Sequence, residues 1–161
     1  MKKPDALRFA LQAVLPEFAG EPDRLRLWIE DGSAQSRQTE TAGFGFSYRL
    51  NLLLVEASTD IALIALPIFQ WLRVNQPNLL APGATGFSFD VDVLDNRACD
   101  ILIQLELTEN VSVAPNDDGG FALNYLEEPD PLFFDALPPG DLGSVPDLDR
   151  VTTEANLAAG W

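Results

Sequence analysis

Residues 63–110 constrain the fold most, because the pattern changes within them from that of a helix to that of two strands. The first part is apolar on nearly every side of a helix, and it stops before Pro77, which disfavours helical geometry at Gln76. The second part alternates apolar and polar residues in two stretches, which a turn at 95–98 joins. The segment therefore predicts a buried helix followed by a long two-stranded hairpin, which is most of a core.

The rest of the chain adds one helix and three strands. Apolar residues recur at helical spacing over 4–15, and Pro4 suits the first position of a helix. The strands that alternation predicts here are 24–29, 44–55 and 121–126. We expect a turn at Asp31-Gly32-Ser33 and a polar loop over 33–42. This order indicates an α+β fold, a mostly antiparallel sheet of four to five strands with two helices packed on one face.

The composition changes after residue 126. Prolines and acidic residues interrupt the last part of the chain, which cannot sustain a strand ladder or a long helix. The same part contains large apolar side chains, which an inert solvated tail would lack. We therefore expect an α+β domain over 1–126 and an extended, acidic C-terminal arm over 127–161. The arm should pack against its own domain or against a neighbour.

The charge of the chain argues against nucleic acid as a partner. The formal net charge is −15, and phosphate binding depends on Lys and Arg, so we expect no tight nucleic-acid binding. The 47% of hydrophobic residues is typical of a globular protein. Apolar runs stay shorter than the roughly 18 residues that span a bilayer, and no signal-peptide core is evident. We expect no membrane partner and a protein made in the cytoplasm.

No motif in the chain indicates an enzyme. Histidine is absent, and the lone Cys99 cannot form an internal disulfide. Asp90 and Asp92 face acidic residues across the predicted hairpin, but the polar face of a half-exposed hairpin accounts for them without a catalytic carboxylate pair. Residues 90–96 lack the ligand and the glycine that an EF-hand needs at its fifth and sixth positions. Because 116–120 reads as an ordinary turn, we expect no catalytic, cofactor or metal site.

Several short motifs follow one another between residues 3 and 113. They are Pro4-Asp5-Ala6-Leu7-Arg8, Asp31-Gly32-Ser33, Tyr48-Arg49-Leu50-Asn51, Pro67, Trp71-Leu72-Arg73, Asn75-Gln76-Pro77, Gly86-Phe87-Ser88-Phe89 and Leu105-Glu106-Leu107-Thr108-Glu109. In their order and spacing they resemble the tail completion protein R family of contractile-tailed bacteriophages. The resemblance does not extend to the predicted arm.

The resemblance implies a non-enzymatic structural protein that completes a contractile tail. Related tail terminators form a ring, usually hexameric, at the head-proximal end, where the ring stops tube and sheath growth and provides the head-docking surface. The implied partners are further copies of the chain, the tail tube protein, the tail sheath protein and head–tail connector or neck proteins. The implied location is the host cytoplasm during assembly and then the virion, with a headless bacteriocin particle, or tailocin, as the alternative source.

A ring needs two different complementary patches on each subunit, because its contacts are head-to-tail. Most basic residues precede Asn75 and the second half is acidic, so we expect basic positions to face acidic surface on the adjacent subunit. Trp71 and Arg73 suit an interface, although a core side chain and a solvated helix-end charge are the alternatives. The interface candidates are Arg24, Arg26, Arg49, Trp71, Arg73, Asn75, Gln76, Leu132, Phe133, Phe134 and Trp161.

Two other functions stay open at this point. One is a different neck component, such as a head-completion or connector-joining protein, and the other is an acidic binding module unrelated to phage. If the ring is a gate, an acidic bore would repel phosphate and let the genome slide through.

Overall fold

The computed structural model describes residues 1–37 and 39–128, which form a five-stranded antiparallel sheet with helices on one face. The α-helices are α1 (Lys3–Val14), α2 (Pro16–Ala19) and α3 (Ile61–Asn75), and short 3-10 turns span Pro22–Arg24 and Pro77–Leu80. The strands are β1 (Leu25–Ser36), β2 (Phe44–Ala57), β3 (Ser88–Val93), β4 (Cys99–Pro115) and β5 (Phe121–Tyr125). The predicted α+β class is confirmed.

The strand order across the sheet is β1-β2-β4-β3, and every neighbouring pair is antiparallel. The length of β4 lets it hold two further strands on the edge away from β2. Its residues 99–104 pair with β3, and its residues 111–115 pair with β5. Strand β1 lies at one end of this order and β3 lies at the other.

The core lies between the helices and the face of the sheet that they cover, which we call the front face. Alternate residues of β2 and β4 point to this side and are buried. The helices contribute leucine and isoleucine at helical spacing. The fully buried members include Leu7, Leu11, Leu50, Leu52, Leu54, Ile64, Ile68, Leu72, Ile103, Leu105 and Leu107. The back face of the sheet carries the intervening, mostly polar residues.

Strand β1 is longer than its sequence pattern predicts. The turn expected at Asp31-Gly32-Ser33 is wrong, and the loop expected over 33–42 is wrong for 33–36, because the strand continues to Ser36 and pairs with β2. A β-bulge between Glu30 and Ser33 interrupts the register, and Asp31 has a φ of 52° there. Residues after the bulge are polar and exposed, so their strand conformation depends on backbone pairing with a distant segment.

The helix at residues 61–75 and the two later turns lie where they were predicted, although the helix is buried on one side only. The carboxylate of Asp60 accepts the Ala62 N–H at 2.7 Å and caps the start of α3. The carboxylate of Asp95 accepts the Ala98 N–H at 2.9 Å in the β3–β4 turn. The side-chain oxygen of Asn116 accepts the Gly120 N–H at 2.7 Å in the β4–β5 turn.

Candidate interaction surfaces

Two of the basic candidates, Arg24 and Arg49, are already paired with acidic groups of the same chain. The Arg24 Nη2 lies 2.8 Å from a Glu17 carboxylate oxygen. Arg49 lies on the exposed back face, where its guanidinium contacts Glu106 at 2.8 Å and Asp31 at 2.7 Å. The hydrogen bond to Glu106 raises the pKa of Arg49. Both charges therefore have local partners, which a neighbouring subunit would have to share or displace.

Arg26 and Arg73 occupy opposite sides of the molecule. Arg26 is exposed on the back face of β1, at the edge of the sheet, and its Nε donates to the Asp23 carbonyl at 3.1 Å. Arg73 is half-buried in the last turn of α3, on the side of the helices. The basic candidates therefore do not form one patch, and Arg26 is the member that lies on an edge strand.

Trp71, Asn75 and Gln76 belong largely to the interior of the single chain. Trp71 is 8% exposed within the core, and Gln76 is 1% exposed. The Asn75 side-chain amide donates to the Trp71 carbonyl at 2.9 Å, which ties it to its own helix. Of these three residues, Asn75 has the most surface that a partner can reach.

Gln76 belongs to a buried polar cluster that joins α1, α3 and the sheet. We define this cluster as Lys3, Tyr48, Gln76, Thr108 and Glu109. The Gln76 side-chain oxygen accepts from Lys3 Nζ at 2.8 Å and from the Thr108 N–H at 3.1 Å. Its side-chain NH2 donates to the Thr108 hydroxyl at 3.0 Å. Gln76 therefore bonds the edge of β4 in the gap between β3 and β5.

Glu109 holds the other half of the buried polar cluster. It is 3% exposed on the front face, and it accepts the Lys2 N–H at 2.9 Å and the Lys3 N–H at 3.3 Å. These N–H groups at the start of α1 have no partner within the helix, and the helix dipole favours a negative charge there. The Tyr48 hydroxyl also donates to Glu109. Burial raises the pKa of Tyr48, and this hydrogen bond acts in the same direction.

Glu17 makes a second polar link, at the other end of α3. It accepts hydrogen bonds from the N–H and hydroxyl groups of Ser58 and of Thr59, which lie just before Asp60, the cap of the helix. Burial alone would raise the pKa of Glu17, but the bonds from Thr59, Ser58 and Arg24 outweigh it and lower this pKa from 4.5 to about 2. The carboxylate is therefore charged at neutral pH and fixes the start of α3.

One apolar surface that the sequence analysis did not select is the outer face of α3, which we define by Leu63, Leu66, Phe69 and Val74. Their exposures are 61%, 51%, 40% and 51%. The apolar surface continues onto β3, where three front-face side chains lie beyond the cover of the helices. They are Phe89, Val91 and Val93. The signal was present in the sequence, because a helix that is apolar all round needs a second contact.

Comparison with known proteins decides the family. The family model described as P2 phage tail completion protein R (GpR) matches residues 1–129. The Tail completion protein R of Escherichia phage P2 is 34% identical over 134 residues, which cover 81% of this chain and 86% of the phage P2 protein. No solved structure matches. The chain belongs to the phage tail completion protein R family. The resemblance predicted from short motifs is therefore confirmed.

Three of the motifs typical of tail completion protein R converge in space. Tyr48, Gln76 and the Thr108-Glu109 pair come from separate motifs and meet in the buried polar cluster. This cluster connects the start of α1, the end of α3 and the middle of β4. Three of the motifs that resemble the family therefore help to fix the tertiary structure of this chain.

The sequence analysis also made predictions about metal binding, Cys99, membrane segments and the arm. In the part of the chain that the structure describes, no group of three His, Cys, Asp or Glu side chains is placed to hold a metal ion. The Cys99 thiol is half-buried and lies 3.6 Å from the Ala57 carbonyl. None of the described helices has the length and apolar content needed to cross a membrane. From residue 129 on, the predicted arm lies outside the described residues, and so do its candidates Leu132, Phe133, Phe134 and Trp161.

Proposed function

We propose that this protein completes a contractile phage tail by forming a ring at the head-proximal end of the tube and sheath. The observation that carries the proposal is the family match over residues 1–129. The ring, which we propose to be hexameric, stops growth of the tail and offers a docking surface to the head. Its role is structural and needs no chemical reaction.

The outer face of α3 supports a role in assembly. Its four large apolar side chains are exposed side by side along one helix, whereas such groups are usually removed from water or used for contact. We infer that this surface meets another tail component, the tube protein or the sheath protein, once the ring is in place. Further partners are the head–tail connector or neck proteins.

The charge of the chain fits a passage for DNA. A net charge of −15 and a back face that includes Asp90, Asp92 and Glu106 would repel phosphate. An acidic bore would let the genome slide without holding it, so tight nucleic-acid binding is not part of the role. The protein would assemble in the host cytoplasm and remain in the virion.

Deletion of the gene tests the proposal. Electron microscopy of lysates should reveal overlong or uncapped tails, and expression of the intact protein should restore tails of normal length. Normal free tails together with leaky heads would instead assign the protein to head completion. The native mass of the purified protein, measured alone and with tail tubes, tests ring formation separately. A monomer under both conditions would contradict the ring.

A further inference from the structure

We propose that neighbouring copies of this chain join through the edges of their sheets, β1 of one copy adding to β3 of the next. The inference rests on the proposed ring and specifies its contact. Among residues 1–37 and 39–128, β1 pairs only with β2 and β3 pairs only with β4. Each strand therefore presents one edge whose N–H and C=O groups have no strand partner in the described chain. Such edges are templates for pairing with another chain.

The topology gives the two edges opposite directions. Four strands follow one another across the sheet, each antiparallel to the last, so β1 and β3 run antiparallel. A head-to-tail repeat keeps strand directions from copy to copy. The β1 strand of the next copy would therefore meet β3 as an antiparallel neighbour, and the sheet would continue without a change of pattern.

The two edges also match in length and in their front faces. The regular part of β1 before the bulge is 25–30, and β3 has the same number of residues, 88–93. In full antiparallel overlap, Leu25 pairs with Val93 and Arg26 with Asp92, and each later residue of β1 pairs with the residue one position earlier in β3. The front-face pairs across the junction are Leu25–Val93, Leu27–Val91 and Ile29–Phe89. Each pair is apolar, and the half-buried Leu27 and Ile29 would cover part of the exposed Val91 and Phe89, whereas Leu25 is already buried in its own chain.

The same register places opposite charges together on the back face. Arg26 would lie directly opposite Asp92 of the next copy, and both are exposed in the single chain. A slip of one residue would turn apolar side chains of one strand against polar side chains of the other. Pairing of two β3 edges would bring Asp90 and Asp92 of both copies together. Pairing of two β1 edges would leave Val91 and Val93 uncovered.

The register adds a stagger, which a closed sheet requires. Within one copy, Leu27 is level with Phe89 through Leu52 and Ile103. Across the junction, Phe89 is level with Ile29 of the next copy. Each subunit would therefore advance the register by about two residues, and repetition of that shift around a ring supplies the offset of a barrel-like sheet.

Disulfide trapping tests the junction. We would place Arg26→Cys and Asp92→Cys in separate chains that also carry Cys99→Ser. Within one chain these positions are three strand spacings apart, roughly 14 Å, which is too far for a disulfide. Oxidation of the mixture should give heterodimers, and a chain carrying both changes should give a ladder of larger covalent products. Dimers of either single variant alone would indicate pairing of like edges and overturn the inference.

Charge reversal provides a second, independent test of the junction. Arg26→Glu should weaken assembly by at least about tenfold, because it places two acidic side chains opposite each other at every junction. The combination with Asp92→Arg should restore most of it. Arg8→Glu makes the same charge change at an exposed position of α1, outside both edge strands, and should leave assembly within about twofold. Equal loss from Arg26→Glu and Arg8→Glu, or no rescue when Asp92→Arg is added to Arg26→Glu, would contradict the junction.

The outcome separates this inference from the proposed function. A native mass that indicates a ring, together with no Arg26–Asp92 cross-link, refutes the edge junction and leaves the ring in place. A wild-type protein that stays monomeric even with tail tubes refutes the ring, and the junction with it.

Discussion

The two sides of α3 carry the same kind of side chain in opposite surroundings. Ile64, Ile68 and Leu72 on the inner side are fully buried against the sheet, whereas Leu63 and Leu66 on the outer side are more than half exposed. Within residues 1–37 and 39–128, the fold therefore buries only one side of this apolar helix. The difference separates residues that hold the fold from residues that remain for a partner.

Hydrogen bonds fix both ends of α3. Glu17 bonds the residues just before the helix, and Gln76 joins its end to Lys3 and Thr108. Because these bonds set the position of the helix, they determine which of its sides faces the sheet. They also keep the outer face of α3 presented as one surface.

The largest expected effect comes from the inner side. Ile68→Ala should lower the free energy of unfolding by about 3 kcal/mol, because it removes buried methylene groups and leaves a cavity. Urea unfolding followed by tryptophan fluorescence measures the change. A loss below about 1 kcal/mol would mean that Ile68 contributes no more to stability than the outer residues, and that the two sides of α3 do not differ.

A smaller, pH-dependent effect is expected at the start of the helix. Glu17→Gln should lower the free energy of unfolding by about 2 kcal/mol at pH 7, because the charged carboxylate accepts several hydrogen bonds that an amide replaces poorly. Its low pKa of about 2 means that the folded state favours the charged form.

The sign of the pH effect follows from that low pKa. The contribution of Glu17 is present above its ordinary pKa of 4.5 and is lost as the pH falls toward about 2. The difference between wild type and Glu17→Gln should therefore shrink steadily between pH 5 and the acid limit of folding. Urea titrations at pH 7, 5 and 3.5 measure it. A difference that stays constant would mean that the carboxylate charge does not stabilise the start of α3.

Local patterns predicted α3 and the β3–β4 hairpin well. The C-terminal bound of the helix follows from Pro77, which lies directly after Gln76 in the sequence. The second half of β1 was missed because its polar residues resemble a loop. Its strand conformation comes from pairing with Phe44 and its neighbours, which no local pattern contains.

The candidate surfaces were harder to predict than the fold. The buried polar cluster joins residues as far apart as Lys3 and Glu109, so their contact depends on the tertiary structure. Gln76 was among the interface candidates, yet the structure buries it. The apolar pattern of α3 predicted two contacts, and only the fold indicates which side, that of Leu66, remains open.

The smallest effect on stability is expected on the outer side of α3. Leu66→Ser should change the free energy of unfolding by less than about 0.5 kcal/mol beyond its helix propensity, because the side chain is 51% exposed. It should reduce co-sedimentation with tail tubes severalfold if the outer face of α3 is a contact surface. Ala62→Ser is the matched control, since it introduces the same residue on the same helix with little apolar area lost. Equal binding by the two variants would remove the outer face from the proposed contact, whereas a selective loss with unchanged stability would show that α3 divides its apolar surface between folding and assembly.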